Sequence, residues 1–150
     1  MAGQLVAVFT PRLRLHLPLD PWALSHDPGV IHATRVDPLM QRRVTLRLTI
    51  ELLAAIRDLP AYGRALRVPV LVLHGAEDAI ACVTGAYQLL QWIGSTDKAL
   101  KVFPGARHEL YNEVPRERDQ VFAEMMRWLA QHTVLSRPDT PYSPPDSSPD

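Results

Sequence analysis

Two short stretches constrain this chain more than anything else in it: "VLVLHGAED" at residues 70–78 and "KVFPGARHE" at residues 101–109. Each runs from an apolar segment through a glycine into G-x-x-D or G-x-x-H. Residues 68–74, "VPVLVLH", are apolar and rich in β-branched residues without alternation, as in a strand buried on both faces; Pro69 stands near the start, where a missing N–H matters least. Thr84 to Gly94 reads as a helix with Ala86, Leu89, Leu90 and Ile93 on one side and a closing glycine. Residues 98–103, "KALKVF", make a second short strand. From Pro115 to His132 runs an amphipathic helix, with Pro115 in its first turn and Val121, Phe122, Met125, Met126 and Leu129 on one face. Strand, helix, strand, helix is the grammar of a parallel sheet, so the fold class is α/β.

In an open parallel sheet, functional groups gather on the loops at the carboxyl ends of the strands. Asp78 lies three residues past Gly75, and His108 three past Gly105. Neighbouring strands are ~4.8 Å apart, so equal excursions after equal glycine turns bring the acid and the imidazole within hydrogen-bonding reach. A carboxylate that accepts the Nδ1–H of an imidazole fixes its tautomer and stabilises the imidazolium formed when Nε2 takes a proton. Either loop alone is ordinary loop polarity; the two together, each after a strand, point to a catalytic pair.

The first half differs in kind. Residues 44–66 carry a helix whose apolar side includes Leu48, Leu52, Leu53 and Ile56 and which is expected to end near Pro60. Before it, "LPLDPWALSHDPGVIHATRVDPLM" breaks short helical pieces with Pro18, Pro21, Pro28 and Pro38, and offers no strand signal of comparable quality. Residues 1–43 therefore read as an irregular helical lid or cap, and residues 44–135 as the α/β portion. Residues 136–150, "SRPDTPYSPPDSSPD", hold five of the 14 prolines and no aliphatic side chain, and are expected to be a disordered tail.

Composition removes several function classes. At 150 residues the chain has the length of one domain. The 16 basic residues balance the 16 acidic ones, so no basic stripe offers the counterion release on which nucleic-acid binding depends. The single cysteine, Cys82, excludes an internal disulfide and fits a reducing compartment; it reads as a small buried hydrophobe or as a thiol beside the acid loop. "HELYNE" begins like a zinc motif but lacks its second histidine, and no cofactor or metal is expected. The opening "MAGQLVAVF" makes a poor signal peptide, and no segment approaches the ~20 apolar residues of a membrane span. A soluble cytoplasmic protein is the expectation.

The stretch "VPVLVLHGAEDAIACVTGAYQLLQWIGSTDKALKVFPGARHELYNEVPRERDQVFAEMMRWL" resembles the carboxyl-terminal part of alpha/beta-hydrolases of the monoacylglycerol lipase and lysophospholipase type. The resemblance rests on the acid loop, on "GAY" after it, on "DKALKVFPGARHELYNE" around the histidine and on the closing "RWL"; more weakly, "LDPWALSHDP" and "DPL" look like the lid of the same proteins. It implies Asp78 as the triad acid and His108 as the base, with Glu77 one position short in the loop. It further implies that Trp22, Leu24 and Leu39 line an acyl-chain path beneath the lid, plain lid packing being the alternative. Glu109 and Glu113 are assigned a loop-fixing role. The implied substrate is a small lipid ester, with transient contact between the lid and a membrane surface.

The family order is Ser, acid, His, with the serine on a G-x-S-x-G elbow. This chain has no such motif: Ser25, Ser95, Ser136, Ser143, Ser147 and Ser148 are its serines, and none stands between glycines. The one "HG" dipeptide, His74-Gly75, belongs to the acid strand and not to an oxyanion loop. Two expectations follow. In one, the chain supplies Asp78 and His108 to a carboxylic ester hydrolase whose nucleophile lies in a missing amino-terminal half; in the other, it is a non-catalytic remnant or binding module of the same fold. Either way the first strand lacks a neighbour on its far side, leaving an edge prone to association.

Overall fold

The computed structural model describes residues 12–17 and 19–133. The stretch at 136–150, expected to be a disordered tail, and the first eleven residues of the segment expected to form a lid lie outside the described residues. The chain order is β1 (Arg14–His16), a 3₁₀ turn (Pro21–Ala23), α1 (Pro28–Val36), β2 (Arg43–Thr45), α2 (Leu46–Ala65), β3 (Val70–Gly75), α3 (Val83–Trp92), β4 (Lys98–Phe103), a 3₁₀ turn (Leu110–Asn112) and α4 (Pro115–His132).

The second half follows the periodicity of the sequence. β3 and β4 pair in parallel, from Val70 opposite Lys98 to Gly75 opposite Phe103, with α3 as the crossover helix. Phe103, Ala106, Leu110 and Val121 form the buried cluster, and Leu73 packs against it. This cluster lies directly beneath the two loops, so their positions are set by packing.

The first half holds two departures from expectation. β1 and β2 form a short antiparallel ladder, Arg14 opposite Thr45 to His16 opposite Arg43, where no strand was expected. Three-residue strands with exposed side chains leave no alternating apolar signal to read. Helix α2 does not end near Pro60 but continues to Ala65. An interior proline removes one helical hydrogen bond at a cost of ~3 kcal/mol. Packing offsets that cost: Gly63 is buried against Trp92, and its carbonyl accepts from Gly94 N at 2.9 Å. Helix starts follow the sequence. Asp27 caps α1 through Gly29 N (2.7 Å), with Pro28 in the first turn, and Thr45 caps α2 through Leu48 N (3.1 Å).

Among the described residues β3 has one strand neighbour, β4. A cavity of about 590 Å³ flanks β3 on one face, lined by Leu71, Leu73, Leu110, Met125, Leu129 and His108. On the other face a second cavity, of about 540 Å³, is lined by Ile56, Leu59, Val72, His74, Ala86 and Trp92. The apolar side of α2, including Leu48, Leu52 and Leu53, is exposed, and on α4 Val121 is buried while Phe122 and Met126 are exposed. No helix among the described residues is long and apolar enough to cross a membrane.

Candidate active site

Two glycines shape the loops. Gly105 has φ +74°, a conformation that side chains with a Cβ rarely adopt. Gly75 stands where a Cβ would collide with the carbonyl oxygens of Arg107 and Ala106, so the end of β3 closes directly onto the histidine loop. Two backbone bonds join the loops, Ala76 N to Phe103 O and Glu77 N to Ala106 O, both at 2.9 Å.

Asp78 Oδ2 lies 2.9 Å from His108 Nδ1. The other oxygen, Oδ1, accepts from Ile80 N at 2.8 Å and Ala81 N at 2.9 Å, which fixes the carboxylate plane. Burial pushes the Asp78 carboxyl upward, but the donors from Ala81, His108 and Ile80 outweigh it and hold its pKa below the ordinary carboxylate value. Asp78 is therefore ionised at neutral pH and acceptor-only, so His108 Nδ1 carries the proton and Nε2 is left as the acceptor. The imidazole itself is exposed. His74 adds a second ring to the same carboxylate, its Nε2 3.7 Å from Asp78 Oδ2 and its Nδ1 2.8 Å from Gly75 O.

The segment at 22–27 sits against the histidine loop. Arg107 and Glu109, on either side of His108, are both tied to it: Arg107 Nη1 donates to Trp22 O (2.7 Å) and Ser25 O (3.0 Å), and Glu109 N donates to Leu24 O (2.8 Å). Glu113, 1% exposed, is the central acceptor. Its Oε1 accepts from Arg107 N at 2.7 Å and its Oε2 from His26 N at 3.0 Å, with His26 Nδ1 3.1 Å from Oε1. Burial raises this carboxyl, and the donors from Arg107 and His26 more than reverse the effect, so its pKa is lowered. Glu109 accepts from Asn112 Nδ2 at 2.8 Å.

The three residues expected along an acyl-chain path separate. Leu24 is buried in the core, Trp22 is 50% exposed with the Arg35 guanidinium over its ring, and Leu39 is 81% exposed in a turn closed by Asp37 Oδ1. Leu39 shares no hydrogen bond with either loop. Glu77 pairs with His26 and not with His108, its Oε2 3.4 Å from His26 Nε2. Cys82, expected as a small buried hydrophobe, is instead exposed at the cap of α3, with Sγ 3.1 Å from Thr84 Oγ1. A cap position stands at the surface whatever the polarity of its side chain.

The serines among the described residues are structural. Ser25, fully buried, donates to Asn112 O at 2.7 Å and accepts from Asp27 N at 2.9 Å. Ser95 bonds Asp97 O at 3.0 Å. Neither hydroxyl bonds to His108. The roles of His26, Arg107 and Ser25 were not singled out by sequence reasoning, since each depends on a bond between the 22–27 segment and the histidine loop that spans more than 80 residues.

A parallel strand–helix–strand–helix unit with an acid loop and a histidine loop at its strand ends has the organisation of the carboxyl-terminal portion of an alpha/beta hydrolase. The family model described as "Serine aminopeptidase, S33" matches residues 1–115, and the chain belongs to that family of alpha/beta hydrolases. The human monoglyceride lipase is 32% identical over 142 residues, 94% of this chain and 46% of the relative. The monoacylglycerol lipase of Mycolicibacterium smegmatis is 33% identical over 115 residues, 76% of this chain and 40% of the relative. The crystal structure of Paleococcus ferrophilus monoacylglycerol lipase superposes with a TM-score of 0.79 at 26% identity, over 88% of this chain and 51% of that one. The chain thus spans about half the length of the relatives it matches.

Proposed function

We propose that this chain supplies the acid and the base of a serine-type carboxylic ester hydrolase acting on monoacylglycerol-like or lysophospholipid-like esters. The observation that carries the reading is the 2.9 Å contact between Asp78 Oδ2 and His108 Nδ1. In it, Asp78 orients the ring, and Nε2 of His108 takes the proton of a serine hydroxyl as that oxygen attacks the ester carbonyl. The imidazolium, stabilised by Asp78, then returns the proton to the departing alkoxide. The nucleophile and the oxyanion donors lie on a segment outside this chain.

Three features support that arrangement. Among the described residues β3 has an unpaired edge with an apolar cavity on each face, which fits a further strand flanked by helices. The apolar side of α2 is exposed. The relatives, lipases by name, are about twice as long as the chain. The domain reading assigns the lid to 1–43 and the α/β portion to 44–135, with exposed Trp22, Val36 and Leu39 suited to transient contact with a lipid surface. Acyl contact is assigned to Leu24, Trp22 and Leu39 in that lid, and the cell compartment to the cytoplasm.

The test is hydrolysis of a p-nitrophenyl ester by the chain joined to an upstream segment bearing a G-x-S-x-G elbow. Activity in the joined protein that His108→Ala abolishes is the expected result. An inactive joined protein, or one indifferent to His108→Ala, sinks the reading. A second reading, a non-catalytic module, is favoured by the absence of G-x-S-x-G from the sequence. A fluorophosphonate probe that labels nothing in the joined protein supports it.

A further inference from the structure

The catalytic reading uses Asp78 and His108 and leaves a buried carboxylate unexplained. Glu113 is 1% exposed and lies five residues beyond His108, yet its side chain reaches back to the backbone on both sides of the site. Four nitrogen atoms converge on its two oxygens: Arg107 N at 2.7 Å, His26 N at 3.0 Å, His26 Nδ1 at 3.1 Å from Oε1 and 3.3 Å from Oε2, and Val114 N at 3.3 Å. A buried carboxylate is strongly disfavoured unless donors satisfy it, so this one holds its position only while both the histidine loop and the 22–27 segment are in place. No buried side-chain polar atom among the described residues is left without a partner, so the arrangement is closed.

The neighbouring bonds all run between the same two segments. Arg107 bonds the carbonyls of Trp22 and Ser25, Glu109 N bonds Leu24 O, and Ser25 Oγ bonds Asn112 O at 2.7 Å. His26 Nε2 extends the network to the acid loop through Glu77, 3.4 Å away. His108 is thus the one residue of the run 107–109 that is free of the lid-side segment, and it is held between two that are not.

We infer that Glu113 is a positioning residue that locks the lid-side segment Leu24–Asp27 to the backbone beside His108, so that the placement of the lid and the aim of the imidazole are set by one carboxylate. The inference rests on the reading of His108 as the base. Its consequence is that lid displacement and loss of the Asp78–His108 hydrogen bond occur together.

The discriminating variant is Glu113→Gln, which keeps the volume and one acceptor oxygen but turns the other acceptor into an NH₂ group facing donors. The readouts, taken on the full chain by NMR, are the low-field proton of His108 Nδ1–H and the amide exchange rates of Arg107 and His26. In Glu113→Gln both amides are expected to exchange at least about ten-fold faster, the scale of one lost charge-assisted hydrogen bond, and the low-field signal to vanish. Glu109→Gln, at a side chain bonded only to Asn112 among the described residues, is expected to change neither. Faster amide exchange with the low-field signal intact overturns the coupling, as does a wild-type chain in which that signal is absent. Should Glu113→Gln fail to fold, Arg107→Met serves instead. It removes the side-chain bonds to Trp22 and Ser25 and is expected to speed exchange at Glu109 N and broaden the His108 signal; an unchanged signal overturns the proposal. Ester hydrolysis is not read in this experiment, so a failed hydrolase reading and a failed lock give different results.

Discussion

Asp78 and His108, 30 residues apart in the chain, meet at 2.9 Å because β3 and β4 run side by side and Gly75 lets their loops touch. The carboxylate is held by two backbone amides of its own loop. The imidazole is the exposed partner and the carboxylate the sheltered one, the order a proton-transferring pair requires.

In the protein joined to a serine-bearing half, His108→Ala should lower ester hydrolysis by roughly 10²- to 10⁴-fold, the range for loss of a positioned general base. Asp78→Asn should fall in the same range, because an amide in place of the carboxylate disfavours the tautomer with Nε2 free. Initial rates on a p-nitrophenyl ester check both; a two-fold effect from either contradicts the assignment.

Stability should distinguish the buried cluster from the exposed surface. Leu110→Ala, at a position 6% exposed in the Phe103–Val121 cluster, should cost about 2–5 kcal/mol. Leu39→Ala, at a side chain 81% exposed, should stay within about 0.5 kcal/mol of wild type. Urea unfolding midpoints measure the difference.

The glycines should part in the same way. A Cβ at Gly75 meets the backbone of Arg107 and Ala106, so Gly75→Ala should destabilise by more than ~1 kcal/mol and pull the two loops apart. Gly85 lies inside α3, and a Cβ there would have nothing within 4 Å, so Gly85→Ala should gain about 0.4–1 kcal/mol. Thermal melting of the two variants should move in opposite directions.

The pH dependence has two arms. Asp78 and Glu113 have pKa values lowered from 3.8 and 4.5, so their stabilisation is present above those values and is lost as pH falls through the lower folded-state ones. His132 is shifted upward from 6.5, first by its bond to Trp128 O, against the opposing effect of burial, and then by Asp97. Its contribution is complete below 6.5 and disappears as pH rises through the higher folded-state value. A melting-temperature profile of His132→Gln should therefore converge on wild type at high pH and lie below it in mildly acidic solution; parallel profiles would remove His132 from the account.

Elements with their own periodicity were legible in the sequence. β4 and α4 occupy 98–103 and 115–132 as expected, and β3 is displaced by one or two residues from 68–74 to Val70–Gly75. The meeting of Asp78 and His108 could be read because both follow glycines after adjacent strands. What could not be read depends on contacts across the chain. Glu113 could be marked as a loop-fixing residue but not given its partners, since His26 is 87 residues away. α2 passes Pro60 because α3 packs against its last turn, and local propensity carries no information about that neighbour.

The proline in α2 divides that helix mechanically. Pro60 has no amide to offer the carbonyl of Ile56, so the rod is weakest there. The turn beyond it packs on Trp92 at the end of α3, and Gly63 O receives Gly94 N, two residues past that helix, at 2.9 Å. A force applied at the Leu46 end thus meets the softest point of α2 at Pro60 before it reaches the last turn.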